Sequence, residues 1–271
     1  KLNNQIDEIE NFLKSLKDEA ENIYLGLEPV GWENIYLQIA RKLGIKAVVN
    51  NPKKTKIIAF ARLKTDKVDS YYLSQFLRIG YLPECFLLPQ ELKELKVLVR
   101  YYFKTLSKWK TNIKIDLRNT ICLKLKTIKR RDILGENALE ILRKESLGEI
   151  LDYKKNSLVR VGLFLKKELI RLRKFLEMKA EKIDEAQIIA TLPGFSLLTG
   201  LAFFLEIGSI ERFKTPRSLI NFIGLRPFLY QSGKKMIPGK MVKSSHKFLK
   251  WLIYQASLKI TQNNAPELYA Y

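Results

Sequence analysis

Two kinds of hydrophobic spacing alternate in the first ninety residues. Apolar side chains recur three and four positions apart in residues 2–16 and 32–43, which predicts amphipathic helices. Residues 22–27 and 46–50 are instead short apolar runs, which predict buried strands. Residues 65–79 predict a further helix whose first residue, a threonine, is its N-cap. Strands that alternate with helices through short links are typical of an α/β unit with parallel strands.

A second pattern begins after Pro89. Residues 95–117 and 158–176 each carry apolar side chains three and four positions apart in an otherwise basic sequence, and a break lies near Gly135. Such stripes are typical of coiled coils and predict two long helices. We expect an antiparallel helical hairpin that acts as a spacer or dimerisation arm. Its Lys and Arg side chains would also contact a phosphate backbone.

A third segment begins near Asp184 and is predicted to be mainly helical. Residues 192–207 are typical of the turn and second helix of a helix-hairpin-helix, in which the backbone N–H groups at Gly194 bind a phosphate. An ordinary packing corner between two helices gives the same pattern, so that alternative stays open. Residues 231–235 (QSGKK) predict a polar loop, and residues 246–260 predict a final helix. We therefore divide the chain into an α/β domain (1–88), long basic coiled-coil helices (89–183) and a carboxy-terminal domain (184–271).

Positive charge is concentrated in the middle and towards the end of the chain. The 271 residues carry 49 Lys and Arg against 28 Asp and Glu, a net charge of +21. Residues 1–90 contribute only +2 of this charge, whereas residues 91–180 contribute +13 and residues 181–271 contribute +6. Residues 234–250 contain six lysines and no acid. A field that is segmental in this way indicates a polyanionic partner such as DNA, whereas charge that only maintains solubility is mixed along a chain.

The composition argues against several other classes of protein. A hydrophobic content of 46% is too high for a disordered chain. Cys85 and Cys122 lack CxxC spacing, which argues against a disulfide framework or a cysteine zinc site. His246 is the single histidine, and we expect it at a helix start or against a phosphate rather than as a catalytic base. No apolar run approaches the roughly 18 residues of a membrane span, so we expect no membrane partner and a cytoplasmic location.

Three carboxylates are candidates for metal chemistry. Glu28 follows the first predicted strand, and ligands of open α/β sheets collect at the carboxyl ends of strands. Asp66 and Asp69 are three residues apart and share one face of the predicted helix start. Carboxylates that converge in this way hold divalent cations, which clamp the reacting oxygens of a phosphodiester. The alternative is that the helix dipole favours the two aspartates and that Glu28 is a surface residue.

Ser232 is a candidate of a different kind, because it lies beside a glycine in a lysine-rich segment. Lysines balance phosphate charge while a serine oxygen attacks phosphorus, which produces a covalent intermediate. The alternative is an ordinary turn serine, since Ser-Gly is a common turn pair.

These residues resemble the motifs of a known family. Residues 27–31 (LEPVG), 49–52 (VNNP) and 64–70 (KTDKVDS) resemble the amino-terminal domain of the DEDD-type insertion-sequence transposases related to the Piv DNA invertases. Residues 192–194 (LPG), Phe213, 223–227 (IGLRP) and 232–234 (SGK) resemble the carboxy-terminal domain of the same family. The resemblance covers nearly the whole chain with the motifs in the family's order.

The resemblance implies a fold and a mechanism. The first domain would have a RuvC/RNase H-like fold in which four acids bind Mg²⁺, with Glu28 as the second acid, Asp66 as the third and Asp69 as the fourth. Ser232 would be the nucleophile, contributed by the carboxy-terminal domain to a composite site. Members of the family are prokaryotic DNA recombinases, and some are guided by a structured RNA. The expected nucleic-acid contacts are Lys64, Gly194, Arg226, Lys234, Lys235, Lys240, Lys243 and Lys247.

The sequence departs from the family pattern in three respects, of which the replacement of the usual alanine after the last Asp by Ser70 is minor. The family's first Asp lies on a strand before the helix that begins this chain, and Asp7 is no substitute because it lies within an amphipathic helix. We therefore expect a missing first strand and an incomplete metal site. In addition, a glycine of the family's last basic motif is replaced by Ser245, so Ser244 and Ser245 become rivals of Ser232.

The sequence thus favours an Mg²⁺-dependent transposase that acts on DNA, associates with the nucleoid and works as a homodimer or a DNA-bound tetramer. Two alternatives stay open. One is a non-catalytic nucleic-acid-binding relic of a transposase. The other is a metal-dependent junction nuclease that forms no serine intermediate.

Overall fold

The chain divides into two compact units, Lys1–Leu87 and Leu88–Tyr271. The structure is a computed structural model, and in the hairpin at 227–241 it describes the backbone alone. The residues that it describes are 5–20, 22–29, 31–52, 54–55, 65–124, 132–232, 235–241, 246–260 and 265–269.

The first unit alternates helices with a pair of parallel strands. The two strands pair in parallel, with Tyr24 opposite Lys46 and Leu27 opposite Val49. The predicted order and the parallel pairing are confirmed. The two strands and the last two helices of this unit begin and end within two residues of the predicted positions. The elements are α1 (Ile6–Glu19), β1 (Tyr24–Leu27), α2 (Glu33–Lys42), β2 (Lys46–Val49) and α3 (Asp66–Arg78).

A small apolar core holds the first unit together. Ile9 and Leu13, four residues apart on α1, are buried against Ile39 of α2. Their spacing places both side chains on one face of the helix. α3 also contacts β1 at Gly26, where an added Cβ would lie 3.4 Å from the Leu77 side chain. That distance is an ordinary van der Waals contact, so α3 packs directly against the strand at this glycine.

The second unit begins with a long helix that contains one wider turn. α4 (Gln90–Arg100) continues through a π-helical segment, Tyr101–Leu106, into α5 (Ser107–Cys122). The Ser107 N–H at the end of this segment donates to the carbonyl of Tyr102, five residues earlier. Turns of this kind are rare and are frequent at functional sites. The helix predicted over 95–117 is confirmed and extends beyond both ends of the prediction.

The chain returns along this helix in the opposite direction. α7 (Glu149–Ala180) packs so that Leu176 shares a core with Val99, and Leu169 shares one with Leu106. The residue numbers of these contacts decrease along α7 as they increase along the first helix, so the two helices are antiparallel. The predicted helical hairpin is therefore present.

A short helix that the sequence pattern did not predict precedes α7. This helix, α6 (Glu136–Lys144), buries Leu142 with Leu117 of α5 and Leu134 of the preceding turn. The helix is only nine residues long, so its apolar periodicity is too short to distinguish it from the flanking loops.

The remaining segment shares a core with the base of this hairpin. The helix Leu197–Ile207 is apolar on nearly all sides, and its Leu201 and Leu205 are buried together with Val99 and Leu176. The elements are α8 (Asp184–Ala190), α9 (Leu197–Ile207), α10 (Pro216–Ile223), β3 (Pro227–Ser232), β4 (Lys235–Met241), α11 (Lys247–Ser257) and α12 (Pro266–Tyr269).

The structure corrects the polar loop predicted at 231–235. Residues 227–232 and 235–241 form an antiparallel hairpin in which Ser232 pairs with Lys235. The flanking segments, PFLYQS and KMIPGKM, are rich in aromatic and aliphatic residues that favour strands. The prediction was wrong because it gave more weight to the polar centre of the segment than to these flanks.

Candidate functional site

Glu28 lies directly after β1, at the carboxyl end of the parallel pair. Its side chain is exposed. The equivalent position after β2 is Asn50, whose N–H donates to the Leu27 carbonyl at 2.7 Å. Asn50 is 1% exposed, and its side-chain oxygen accepts a hydrogen bond from the Thr55 hydroxyl. This edge of the sheet therefore offers an exposed carboxylate beside a buried, fixed amide, and Asn50 is a candidate that the sequence analysis missed.

Asp66 and Asp69 lie in the first turn of α3, where the sequence placed them. Thr65 caps this helix, because its hydroxyl oxygen accepts a hydrogen bond from the Val68 N–H at 3.3 Å. Asp66 is exposed and Asp69 is half-buried. The helix dipole favours acids at this position, so the alternative explanation as helix-start residues also fits the geometry.

The structure does not gather these three acids into one metal site. Among the described residues, no three side chains of His, Cys, Asp or Glu lie close enough to hold a metal ion. α3 contacts β1 through Leu77, which lies about 12 Å along the helix axis from Asp69. The side chains of Glu28, Asp66 and Asp69 also make no ion pair within the described part of the chain. Within that part of the chain, no cation therefore neutralises their negative charges.

Ser232 ends β3 and is the last residue of that strand to pair with β4. Its partner across the hairpin is Lys235, so Ser232 lies next to the connection between the strands. The two connecting residues lie outside the described residues, as do Lys64, Lys243, Ser244 and Ser245. Lys235 and Lys240 belong to the hairpin, of which the structure describes the backbone alone. Arg226 and Lys247, which flank the hairpin on either side, are both exposed.

Gly194 lies in the corner between α8 and α9 and has a φ of 81°. An added Cβ would lie 2.1 Å from the carbonyl oxygen of Ala256, so the glycine allows α11 to pack against this corner. Gly200 has a similar role, since an added Cβ would lie 2.5 Å from the Ala186 carbonyl oxygen in α8. Both glycines therefore serve close helix packing, the alternative that the sequence left open. A phosphate contact at Gly194 stays a prediction.

A buried carboxylate, Glu206, forms the charged centre of the second unit. Its side chain is 2% exposed and accepts two hydrogen bonds from Arg100, at 2.6 and 2.8 Å. Its Oε2 atom lies 3.2 Å from Lys96 Nζ and 3.2 Å from His246 Nε2. The carboxylate thus ties the end of α4, the end of α9 and the start of α11 together.

The surroundings of Glu206 keep it ionised. Burial raises the pKa of Glu206, but the hydrogen bonds from His246 and Arg100 and the charge of Lys96 outweigh burial, so its pKa lies well below the usual carboxyl range. For Lys96, burial lowers the pKa more than the Glu206 charge raises it. The sequence analysis missed this centre. A signal was present, because Glu206 is the single charge in the apolar helix LLTGLAFFLEI, and a lone acid in such a helix indicates a buried ion pair.

Two family models match the chain. Residues 1–124 match the model of the transposase domain DEDD_Tnp_IS110, and residues 186–271 match the model described as the transposase IS116/IS110/IS902 family. No curated protein shows significant sequence similarity to the chain. None of the described helices combines the length and the apolar character needed to cross a bilayer.

Proposed function

Because the chain carries transposase domains of the IS110/IS116/IS902 family at both ends, we propose that it is a DNA recombinase of a mobile insertion sequence. The observation that carries this proposal is the presence of both domains in one chain, the DEDD domain first. Kinship with the Piv invertases and a RuvC-like fold of the first domain are parts of the same proposal. So are use of a guide RNA and assembly of a dimer or a DNA-bound tetramer.

In this proposal Glu28, Asp66 and Asp69 bind Mg²⁺. Their donor chemistry fits the ion, since Mg²⁺ prefers carboxylate oxygens and keeps part of its water shell. The absence of ion pairs to these three acids within the described residues supports the assignment, because no described cation would have to be displaced before a metal binds. A bound Mg²⁺ would supply charge stabilisation at a reacting phosphodiester. The role of these residues is to hold the ion and to orient it.

We further propose that Ser232 is the nucleophile. Its Oγ would attack a backbone phosphorus, forming an Oγ–P bond as a P–O bond of the DNA breaks, and the departing oxygen takes up a proton. Attack on this adduct by the hydroxyl of another strand would release the serine and join the DNA. The position of Ser232 beside Lys235, next to the hairpin connection, supports this role, because lysine charge stabilises a phosphate.

The test of this proposal is a covalent adduct between the protein and its DNA. The wild-type chain, incubated with DNA of its element and with Mg²⁺ and then denatured, should carry DNA through an alkali-sensitive phosphoserine bond. We expect Ser232→Ala to abolish the adduct while nucleic-acid binding stays nearly unchanged. Ser244→Ala and Ser245→Ala are the matched controls and should retain the adduct. An unchanged adduct in Ser232→Ala would exclude this serine as the nucleophile.

The non-catalytic relic remains the alternative, and one observation favours it. The described residues do not bring three acids together, which is what a chain that binds DNA without cutting it would show. A relic predicts binding without cleavage, whereas a junction nuclease predicts cleavage without an adduct. The adduct experiment distinguishes all three functions when cleavage of the DNA is measured in the same reaction.

A further inference from the structure

Three aromatic rings join the π-helical segment to α11. The Phe103 ring lies 5.8 Å from the Phe248 ring and 5.7 Å from the Trp251 ring, measured between centroids. The rings of Phe248 and Trp251 are stacked and nearly parallel, with an interplanar angle of 12° and a centroid distance of 5.9 Å. Phe248 is 7% exposed, whereas Trp251 is 41% exposed. The Trp251 ring is therefore held in place by two neighbours while much of it faces solvent.

Each of the two elements that carry these rings also carries an exposed lysine, Lys104 in the π-helical segment and Lys247 in α11. Lys104 Nζ lies 4.6 Å from the centroid of Phe248, so the ammonium group and the Trp251 indole contact the same ring. Lys247 is exposed and precedes Trp251 by four residues on α11, which places both on one face of the helix. Tyr254, which is 58% exposed, follows three residues later. Neither α11 nor the π-helical segment contains an acid.

We propose that the aromatic platform formed by Trp251 and Tyr254, with Lys104 and Lys247 at its edge, binds an unpaired strand of the DNA substrate. Base faces in a duplex are covered by neighbouring bases, so an exposed indole stacks well only on a base that has left the duplex. The two lysines would contact the flanking phosphates. The absence of acids from both elements favours a polyanion over a second protein surface.

The wider turn has a clear part in this arrangement. The π-helical segment contributes Phe103, which supports the Trp251 ring, and Lys104, which lies over Phe248. Arg100, which directly precedes the π-helical segment and lies three residues before Phe103, anchors the chain to Glu206. The Trp251 ring is therefore held by packing against Phe103, and the π-helical segment is held by the ion pair of Arg100 with Glu206, as a preorganised binding surface requires.

This inference rests on the proposed function, because strand exchange exposes unpaired DNA. It is tested by fluorescence anisotropy of a labelled single-stranded oligodeoxythymidylate with the full chain. We expect Trp251→Ala to weaken binding by about tenfold or more, since stacking on one aromatic side chain contributes on this scale. Trp251→Phe should retain most of the affinity. The same change should weaken binding of a duplex of equal length about twofold at most, because duplex binding depends mainly on phosphate contacts.

Trp109→Ala is the matched control, because Trp109 is 51% exposed on α5 and lies outside the platform. It should leave single-strand affinity unchanged. Equal losses in Trp109→Ala and Trp251→Ala, equal losses for single strand and duplex, or a loss confined to an RNA probe would each overturn the proposal. Failure here is separable from failure of the serine chemistry, since binding is measured without cleavage. A thermal melt of each variant shows whether it has kept its fold.

Discussion

The carboxylates of the two units differ in what surrounds them. Glu28, Asp66 and Asp69 in the first unit have no ion-pair partner among the described residues, and none of the three is buried. Glu206 in the second unit is buried and is bound by Arg100, with Lys96 and His246 at 3.2 Å. One set therefore has negative charge to offer a ligand, whereas the single acid has its charge already neutralised by the protein.

This difference separates a function in binding from a function in architecture. A buried carboxylate without its cations is strongly unfavourable, so Glu206 and its partners must be retained together. Exposed acids at a strand end and at a helix start cost little to keep and contribute little to the fold. The same residue type thus predicts opposite results on substitution in the two units.

The largest expected effect is on activity in the first unit. Asp66→Asn should lower strand exchange by a thousandfold or more, roughly 4 kcal/mol, because it removes a proposed ligand of an ion that stabilises the reacting phosphate. The melting temperature should stay within about 2 °C of wild type, since the side chain is exposed and lies outside the core. Activity on element DNA and thermal unfolding measure the two quantities. Full activity in this variant would remove Asp66 from the site.

The next effect is on stability in the second unit. Glu206→Gln keeps the shape of the side chain but leaves Lys96 and Arg100 without a counter-charge, so we expect a loss of about 3 kcal/mol in the free energy of unfolding. Urea denaturation measures it. The control is Glu168→Gln, whose partner Arg171 lies 3.7 Å away with its side chain 77% exposed, and which should cost less than about 0.5 kcal/mol. Equal losses in both variants would contradict the central role of Glu206.

The pH dependence of the free energy of unfolding tests the same difference between the two units. Glu206 has a folded-state pKa below its ordinary value of 4.5, so its contribution is complete above pH 4.5 and is lost as the pH falls below that value. The free energy of unfolding should therefore fall between about pH 5 and pH 3, and less steeply in Glu206→Gln. An identical slope in the variant would contradict this account.

Asp152 is a second acid of the same unit that contributes to this fall. Hydrogen bonds from Lys155, Ser146 and the Leu147 N–H lower the pKa of Asp152 to about 2. Its contribution is also present above the ordinary pKa and is lost as the pH falls towards 2. The double variant with Asp152→Asn should therefore show a flatter acid profile than Glu206→Gln alone.

Much of the fold was predictable from local patterns. The parallel strands, α2, α3 with its Thr65 cap and the antiparallel helical hairpin follow from spacing and capping, which depend on residues close in sequence. The β-hairpin and α6 were missed because both are short, and the pairing of Ser232 with Lys235 depends on strands that carry a polar centre. The π-helical segment was not predicted either, and its Phe103 packs against α11, a helix that is remote in sequence.

The candidate site was predictable only in part. The resemblance to the transposase family singled out Glu28, Asp66 and Asp69, which lie at the predicted strand end and helix start, and their role as metal ligands stays a prediction. The partners of Glu206 were not predictable, because Arg100 is 106 residues away in sequence and no periodicity relates the two. The packing role of Gly194 also depends on a distant residue, Ala256.

The smallest expected effect is a rise in melting temperature when Mg²⁺ binds, which separates acids that bind a ligand from acids that stabilise the fold and needs no catalysis. If the acids of the first unit hold Mg²⁺, adding the ion at about ten times its dissociation constant should stabilise the wild-type chain by about 1.4 kcal/mol. In a chain of this size that corresponds to a rise in melting temperature of about 3 to 5 °C. The triple variant Glu28→Gln, Asp66→Asn, Asp69→Asn should show no rise, whereas Glu206→Gln, although less stable, should show the full rise. A rise that survives in the triple variant would place the metal elsewhere in the chain, and no rise in wild type would favour a protein that binds DNA without cutting it.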